Sequence, residues 1–387
     1  MMHRKSFISK LGLLLPLVVP LLLSCKGEVV SPAASIDTLS PQVVCAVQKT
    51  TAVAMTGSNF TPLPTGSLTE NPTLELPKVF LQQRTQLSGA PGSGSEVRIY
   101  DGQDQNHLRY VTSSEMDFDV YPGMVVSDYD LGTAGTDLTP GLYDVILQNP
   151  DQVRTTKEGG LAVVPPPTLI AVTPNPACNE QAEASFNVNG QNFLRINGEL
   201  PAVSFTLSDG TGTPIAVKTA SAQNCQTLPS PQGVMLESCT DLTVTASQNL
   251  LAVASYRVVV QNPGAASCTS QEDVRTVVIP APTVSVVKNL AVCSIADTTL
   301  QVQGQNFLQL QGPPVTNPTI TMGGKSFATT ASNCMPIVDA PNGQLCTTLT
   351  FTVPMGQLAP GMYQAVIQNP GQDACSTTMP IGIDVVG

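Results

Sequence analysis

Two short sequence landmarks recur in order three times along this chain, and that repetition constrains its fold more than any other feature. The first landmark is Gly57-Ser58-Asn59-Phe60, matched by Gly190-Gln191-Asn192-Phe193 and by Gly304-Gln305-Asn306-Phe307. The second is Tyr143-Asp144-Val145-Ile146-Leu147-Gln148-Asn149-Pro150. Its partners are Tyr256-Arg257-Val258-Val259-Val260-Gln261-Asn262-Pro263 and Tyr363-Gln364-Ala365-Val366-Ile367-Gln368-Asn369-Pro370. A long period of this kind means one supersecondary unit copied along the chain, so any fold for one copy must serve all of them. Tyr143, Val145 and Leu147 alternate with Asp144, Ile146 and Gln148, which is the period of a strand with one apolar face. The Asn-Pro that follows ends the strand, because proline has no N–H for the ladder; Gly264 and Gly371 then add turn freedom. In the first landmark the glycine is expected to let the chain leave a strand sharply, and the phenylalanine to plug the end of a core.

Composition sets the class. The chain has 387 residues with 33 Pro and 30 Gly, only 12% charged side chains and no Trp. Few charges, many turn formers and abundant Val, Thr and Ser read as all-β. Proline clusters at Pro165-Pro166-Pro167 and Pro280-Ala281-Pro282 mark two junctions, which divide the chain into units 36–165, 166–281 and 282–387. Such junctions are stiff, and the expected arrangement is a rod. The first unit is the longest, with an insertion between Phe60 and Tyr143 in which residues 88–95 are expected to form a mobile loop.

The tyrosine that opens each late strand is placed like the corner tyrosine of immunoglobulin-like sandwiches, whose hydroxyl bonds nearby backbone. Together the two landmarks resemble the IPT/TIG domain, an immunoglobulin-like fold found in plexin-type receptors, some transcription factors and many bacterial surface proteins. Pro140-Gly141-Leu142-Tyr143 and Pro360-Gly361-Met362-Tyr363 fit the late pattern, whereas Val253-Ala254-Ser255 before Tyr256 departs from it. The resemblance spans residues 33–387. It implies three tandem β-sandwich domains and says little about function, since one fold hosts many.

The N-terminus sets the expected compartment. Arg4, Lys5 and Lys10 precede an apolar run over residues 11–23, broken by Pro16 and Pro20. That run is too short for a bilayer span, which takes about 20 residues, and has the length of a signal-peptide core. It ends in Leu22-Leu23-Ser24-Cys25, which resembles the lipobox of bacterial lipoproteins. The resemblance implies removal of residues 1–24, lipidation of Cys25, a tether over 25–35 and a membrane partner reached through acyl chains, each buried CH₂ contributing about 0.8 kcal/mol. An ordinary secretory peptide with Cys25 in a disulfide is the alternative. In that family an aspartate directly after the cysteine favours the inner membrane; with Lys26 there, the resemblance implies the outer membrane in a Gram-negative host. Without Arg4, Lys5 and Lys10 the chain keeps 14 basic against 28 acidic side chains. So acidic a surface repels phosphate backbones, and no nucleic-acid partner is expected.

Nine cysteines remain besides Cys25, and in an exported protein they should mostly be paired. Cys178, Cys225, Cys239 and Cys268 align with Cys293, Cys334, Cys346 and Cys375, while the first unit keeps only Cys45. Cys225 with Cys239, and Cys334 with Cys346, flank a loop and resemble a pair seen in receptor-type IPT domains. Two schemes cover the rest. In one, each unit is self-contained, joining Cys178 to Cys268 and Cys293 to Cys375 and leaving Cys45 free. Strand counting opposes it, because those positions fall at opposite poles about 17–20 Å apart, whereas bridged Cα atoms lie about 4.4–6.8 Å apart. In the other scheme, Cys45 joins Cys268 and Cys178 joins Cys375, stapling successive units and leaving Cys293 spare at the distal tip. With no Cys-x-x-Cys spacing, zinc is not expected.

Beyond the signal peptide the chain has one histidine, His107, expected in a solvated polar loop over residues 101–106. Any Ser-His-Asp or Cys-His site would have to use it. Asp101, Asp104, Asp128, Asp130 and Asp137 offer hard oxygen ligands for calcium, but their spacing matches no EF-hand and lacks its closing Glu. Gly92-Ser93-Gly94-Ser95 is neither a nucleophile elbow nor a phosphate loop. No catalytic residue, cofactor or metal is therefore expected. The expected function is a non-enzymatic structural or adhesive module with a protein or glycan partner at the cell surface. The alternative is a polysaccharide- or calcium-binding accessory subunit of an envelope complex.

Overall fold

Alternation of buried and exposed side chains runs through the whole folded chain: in the strand Thr51–Ser58, Val53 and Met55 are buried while Ala52 and Thr56 face out. The computed structural model describes residues 32–65, 73–99, 101–102, 105–125, 135–180, 183–371, 375–377 and 380–387. The signal peptide, Cys25, most of the tether, Asp104, Asp128 and Asp130 lie outside them. Strand makes up 61% of the described residues. No helix of the described residues is long and apolar enough to cross a membrane.

In the first unit one sheet orders Ser35–Ser40, Thr51–Ser58, Glu115–Val120 and Leu108–Thr112. The facing sheet orders Val43–Val44, Arg154–Val163, Gly141–Gln148, Lys78–Gln86 and Glu96–Arg98. The chain switches sheets after Ser40, so Val43–Val44 runs parallel to Arg154–Val163. The later units repeat this switch, with Ala177–Cys178 parallel to Arg275–Ile279 and Ala291–Cys293 parallel to Ile381–Val386. There the strands Ile215–Gln223 and Lys325–Ile337 each pair first with one sheet and then with the other. Three core clusters result. Val53, Met55, Phe118 and Val145 lie in the first, Phe186, Phe205, Val244 and Val258 in the second, Leu300, Ile320, Phe351 and Ile367 in the third. Burying each such side chain stabilises the fold by roughly 1.5–3 kcal/mol.

The landmarks acquire their physical reasons here. In the second and third units the glycine does not release the chain from its strand as expected; the strand bulges and resumes, whereas in the first unit the strand ends at Ser58, one residue after Gly57. Asn189 pairs with Asp241 and Phe193 with Cys239, so Gly190, Gln191 and Asn192 bulge opposite Thr240. The glycine is required by close approach. A Cβ there would lie 1.9 Å from the Ser35 carbonyl oxygen in the first unit, 2.1 Å from that of Thr168 in the second and 2.0 Å from that of Thr283 in the third. The left-handed residue is the asparagine, with φ of 58° at Asn59, 58° at Asn192 and 63° at Asn306, a conformation asparagine tolerates better than most. Phe60, Phe193 and Phe307 are fully buried.

The second landmark is tied to the first. Asn149 Nδ2 donates to the Asn59 carbonyl at 3.0 Å and its Oδ1 accepts the Thr61 N–H at 3.2 Å. Asn369 repeats the pair with Asn306 at 2.9 Å and Leu308 at 2.9 Å. Tyr143, Tyr256 and Tyr363 donate their hydroxyls to the carbonyls of Thr139, Ala252 and Ala359, at 2.6, 3.0 and 3.0 Å. Each is a bond to the residue four earlier, the corner geometry expected of them.

Candidate functional site

The most extensively built features outside the cores are the joints between consecutive units. At the first joint Val43, Cys45, Ala162 and Val164 of the first unit pack on Leu194, Leu236, Ala266 and Cys268 of the second. Cys45 is bonded to Cys268 at a Cα separation of 5.9 Å, and both are buried. The rim is polar and reciprocal. Gln48 Nε2 donates to the Thr269 carbonyl at 2.7 Å, and Gln48 Oε1 accepts the Thr269 N–H at 2.8 Å. Lys49 Nζ donates to Ser267 Oγ beside them.

At the second joint Cys178 is bonded to Cys375 with Cα atoms 5.6 Å apart. Val277 and Ile279 of the second unit pack on Leu308 and Ala340 of the third. The hairpin formed by Lys325–Ile337 and Ala340–Val353 reaches back across the joint. Its turn residue Asp339 accepts from Ser255 Oγ at 2.7 Å and from Arg275 Nη1 at 3.2 Å, while its carbonyl accepts from Asn175 Nδ2 at 3.1 Å. Hydrogen bonds to Asp273 and then Asp339 raise the Arg275 guanidinium above its ordinary range. The remaining disulfides pin the legs of these arms. Cys334 sits directly opposite Cys346 on the third unit's hairpin, and Cys225 is bonded to Cys239 on the second; each pair has Cα atoms 3.9 Å apart.

Neither self-contained bond, Cys178 with Cys268 or Cys293 with Cys375, is formed; Cys293 is the free cysteine among the described residues. The reason is polar separation: Cys178 and Cys293 end the parallel strand and Cys45 directly follows it at one pole, whereas Cys268 and Cys375 follow the Asn-Pro turn at the other. Disulfides in this number belong to a chain that folds in an oxidising compartment outside the cytosol.

His107 is not in a solvated loop. Strand pairing continues one residue beyond Leu108–Thr112, so the Asp119 N–H donates to the His107 carbonyl at 2.8 Å. The imidazole is then half-buried, stacked on Tyr121 with ring centroids 3.8 Å apart and its Nδ1 3.3 Å from Asp119 Oδ2. Arg109 grips the same carboxylate with two bonds, of 2.8 and 3.0 Å. Burial pushes the Asp119 carboxyl up, but the hydrogen bonds from Arg109 and His107 outweigh it and hold the group below its usual range. The arrangement is a charged brace across two neighbouring strands. Asp137, one of the candidate calcium ligands, accepts the Gly123 N–H at 2.7 Å. Among the described residues no group of three His, Cys, Asp or Glu side chains is gathered as a metal site would need.

Sequence reasoning missed Gln48, Asn175, Ser255, Arg275 and Asp339, because their partners lie in other units and no local pattern marks them. It had a signal for the arms only in the close cysteine pairs.

No protein-family model matches the chain, and no curated protein matches it in sequence. Solved structures resemble it at low identity. One is a chain of the Dpr2 Ig1-Ig2 complex with DIP-Theta Ig1-Ig3, with 11% identity, 92% of this chain and 99% of that one covered, and a TM-score of 0.23. The plexin A4 extracellular region matches at 14% identity over 94% of this chain with a TM-score of 0.28, and this chain spans only 26% of it. The Bacteroides ovatus mixed-linkage glucan utilization locus protein SGBP-B, in complex with a mixed-linkage heptasaccharide, has 13% identity over 92% of this chain and 70% of its own, with a TM-score of 0.19. Likenesses at this level carry no functional argument; strand order and corner tyrosines characterise the chain themselves. It is an all-β, immunoglobulin-like repeat protein.

Proposed function

We propose that this protein is a non-enzymatic surface scaffold: three IPT/TIG-type domains, 36–165, 166–281 and 282–387, held in fixed relative orientation and moored to the membrane by acyl chains on Cys25. The observation that carries the reading is the pair of buried, disulfide-bonded joints. An enzyme needs a cleft with converging polar groups. A projecting binding module needs rigidity between its anchor and its tip. A covalent bond, an apolar seam and a polar rim at each joint serve rigidity, and a flexible linker would not need them. Exposed loops on such a scaffold are the natural contact surfaces, because they vary freely without disturbing the cores.

Two measurements test this. Metabolic labelling with a fatty acid should mark the wild-type chain and fail on Cys25→Ala; an unlabelled wild type removes the anchor. Small-angle scattering of the detergent-solubilised chain should give one extended particle whose dimensions change when the joints are reduced. A compact or heterogeneous particle in the oxidised protein would defeat the scaffold reading.

A further inference from the structure

The connection after Phe60 in the first unit folds into a hairpin, and it stands at the pole where the chain enters from its tether. Residues 61–77 leave and return there: the Thr61 N–H donates to Asn149 Oδ1 at 3.2 Å, and Lys78 pairs with Gln148. The incoming chain is fixed beside them. Asn59 Nδ2 donates to the Ala33 carbonyl at 2.9 Å, and Ser35 pairs with Ser58. Within the excursion Leu63 pairs with Glu75, Pro64 with Leu74 and Thr65 with Thr73, forming a two-stranded sheet of their own.

This hairpin is apolar and has no core beneath it. Leu63 and Leu74 are 47% and 56% exposed, Pro64 is exposed, and none of them belongs to the core of the unit. The charge of Glu75 is paired with Lys78 Nζ at 3.2 Å. A lone two-stranded hairpin is marginal in water, so an apolar one gains order from a surface to lie on. In the later units the strand runs on past Phe193 and Phe307, and Ile196 and Leu310 pack in the joints. The pole of the first unit is not built as a joint of that kind. No cysteine lies between Pro150 and Cys178 to match Cys268 and Cys375. A tight turn at Ser113-Ser114 stands where the later units carry their arms.

We infer that this hairpin lies on the lipid bilayer, with its leucines in the headgroup boundary, and gives the first unit a second hold on the membrane. The inference rests on the proposed anchor at Cys25. Eight residues separate Cys25 from Ala33, and they extend to at most about 29 Å. Anchoring there therefore keeps this pole and its hairpin close to the bilayer. The chemistry of the hairpin suits that boundary. Apolar side chains leave water there, and Pro62, Pro64 and Pro77 bring no N–H that would go unsatisfied. With 28 acidic against 17 basic side chains, the chain is not drawn to anionic headgroups, so a zwitterionic surface suffices. A tether alone fixes a distance and no direction. The hairpin adds the direction, and the bonded joints carry it to the third unit.

The chain has no Trp, so Leu63→Trp and Leu74→Trp each place a single fluorescent reporter, one on either face of the hairpin. The full chain is reconstituted in phosphatidylcholine vesicles, with and without bromine on the acyl chains near the headgroups. The expected result is loss of emission in brominated vesicles from at least one of the two reporters. Met355→Trp, at the pole of the third unit away from its joint, should keep its emission. Mass spectrometry of the N-terminal peptide reads acylation of Cys25 separately. An acylated chain in which neither hairpin reporter is quenched overturns the inference and leaves the anchor standing. Quenching of Met355→Trp to the same degree overturns it as well, because the contact is then not directed by the hairpin. A Cys25 without fatty acid overturns both.

Discussion

Asn262 clamps the bulge at Asn192: its Nδ2 donates to the Asn192 carbonyl at 3.1 Å, and its Oδ1 accepts the Leu194 N–H at 3.0 Å. The side chain is buried, so nothing in solvent replaces it. Replacing Asn262 with Ala leaves a buried carbonyl and a buried N–H without partners, each costing about 1–3 kcal/mol. The expected outcome is a comparable loss in urea-induced unfolding of the second unit. A loss below the error of the measurement would show that the clamp is replaceable. Asn149→Ala and Asn369→Ala should behave alike in their own units.

The bulge glycine makes a second, sharper test. At Gly304 an added Cβ would lie 2.0 Å from the Thr283 carbonyl oxygen, whereas at Gly382, on the last strand of the same unit, it meets nothing within 4 Å. Gly304→Ala must push one strand from its neighbour and should cost about 1–3 kcal/mol, as overpacking does. Gly382→Ala should cost nothing measurable. Thermal unfolding of the two variants side by side checks the contrast, and equal melting temperatures would refute it.

These landmarks show what was legible in the chain and what was not. Spacing alone revealed Tyr143, Val145 and Leu147 as one buried face, because strand period is a local property. The role of Gly190 was misread, since the Thr168 carbonyl that demands it belongs to another strand, and no local pattern reports that distance. His107 was assigned to solvent on its polar neighbours at 101–106; only pairing with Asp119 turns it inward. Counting strands between poles opposed a bond between Cys178 and Cys268 without settling the pairing. The arm that carries Asp339 back to Arg275 had no signal beyond the cysteines at its base.

The first joint should come apart when its bond is removed. Cys45 and Cys268 are separated by 223 residues in sequence, and closing a long loop restricts the unfolded chain by about 2–4 kcal/mol. In the double variant Cys45→Ser, Cys268→Ser the separate cores around Val53 and Phe186 are untouched, so the two units should still fold. Limited proteolysis should then cut near Pro165-Pro166-Pro167 and should leave that junction intact in the wild type. Unchanged protease resistance together with an unchanged melting temperature would mean that the seam alone holds the joint.

The brace at Asp119 predicts a pH dependence with a defined sign. Its carboxyl is held below the ordinary value: burial raises it, and the hydrogen bonds from Arg109 and His107 and the charges of both lower it by more. The folded state therefore binds the proton more weakly than the unfolded chain, whose aspartates titrate near about 3.9. Stability from this group is fully present above that value and is lost as pH falls through the depressed folded one. Arg109→Gln removes the two bonds of 2.8 and 3.0 Å while leaving Asp119 buried. Burial then acts with less opposition, so the Asp119 carboxyl should titrate at higher pH than in the wild type. The loss still begins at the unchanged unfolded value but ends at a higher folded one, so this group's share of the acid-induced loss of stability should shrink. Carboxyl-carbon NMR of labelled aspartate reads the first effect, and unfolding as a function of pH reads the second. A titration of Asp119 that does not move, or moves down, would show that Arg109 does not set its charge.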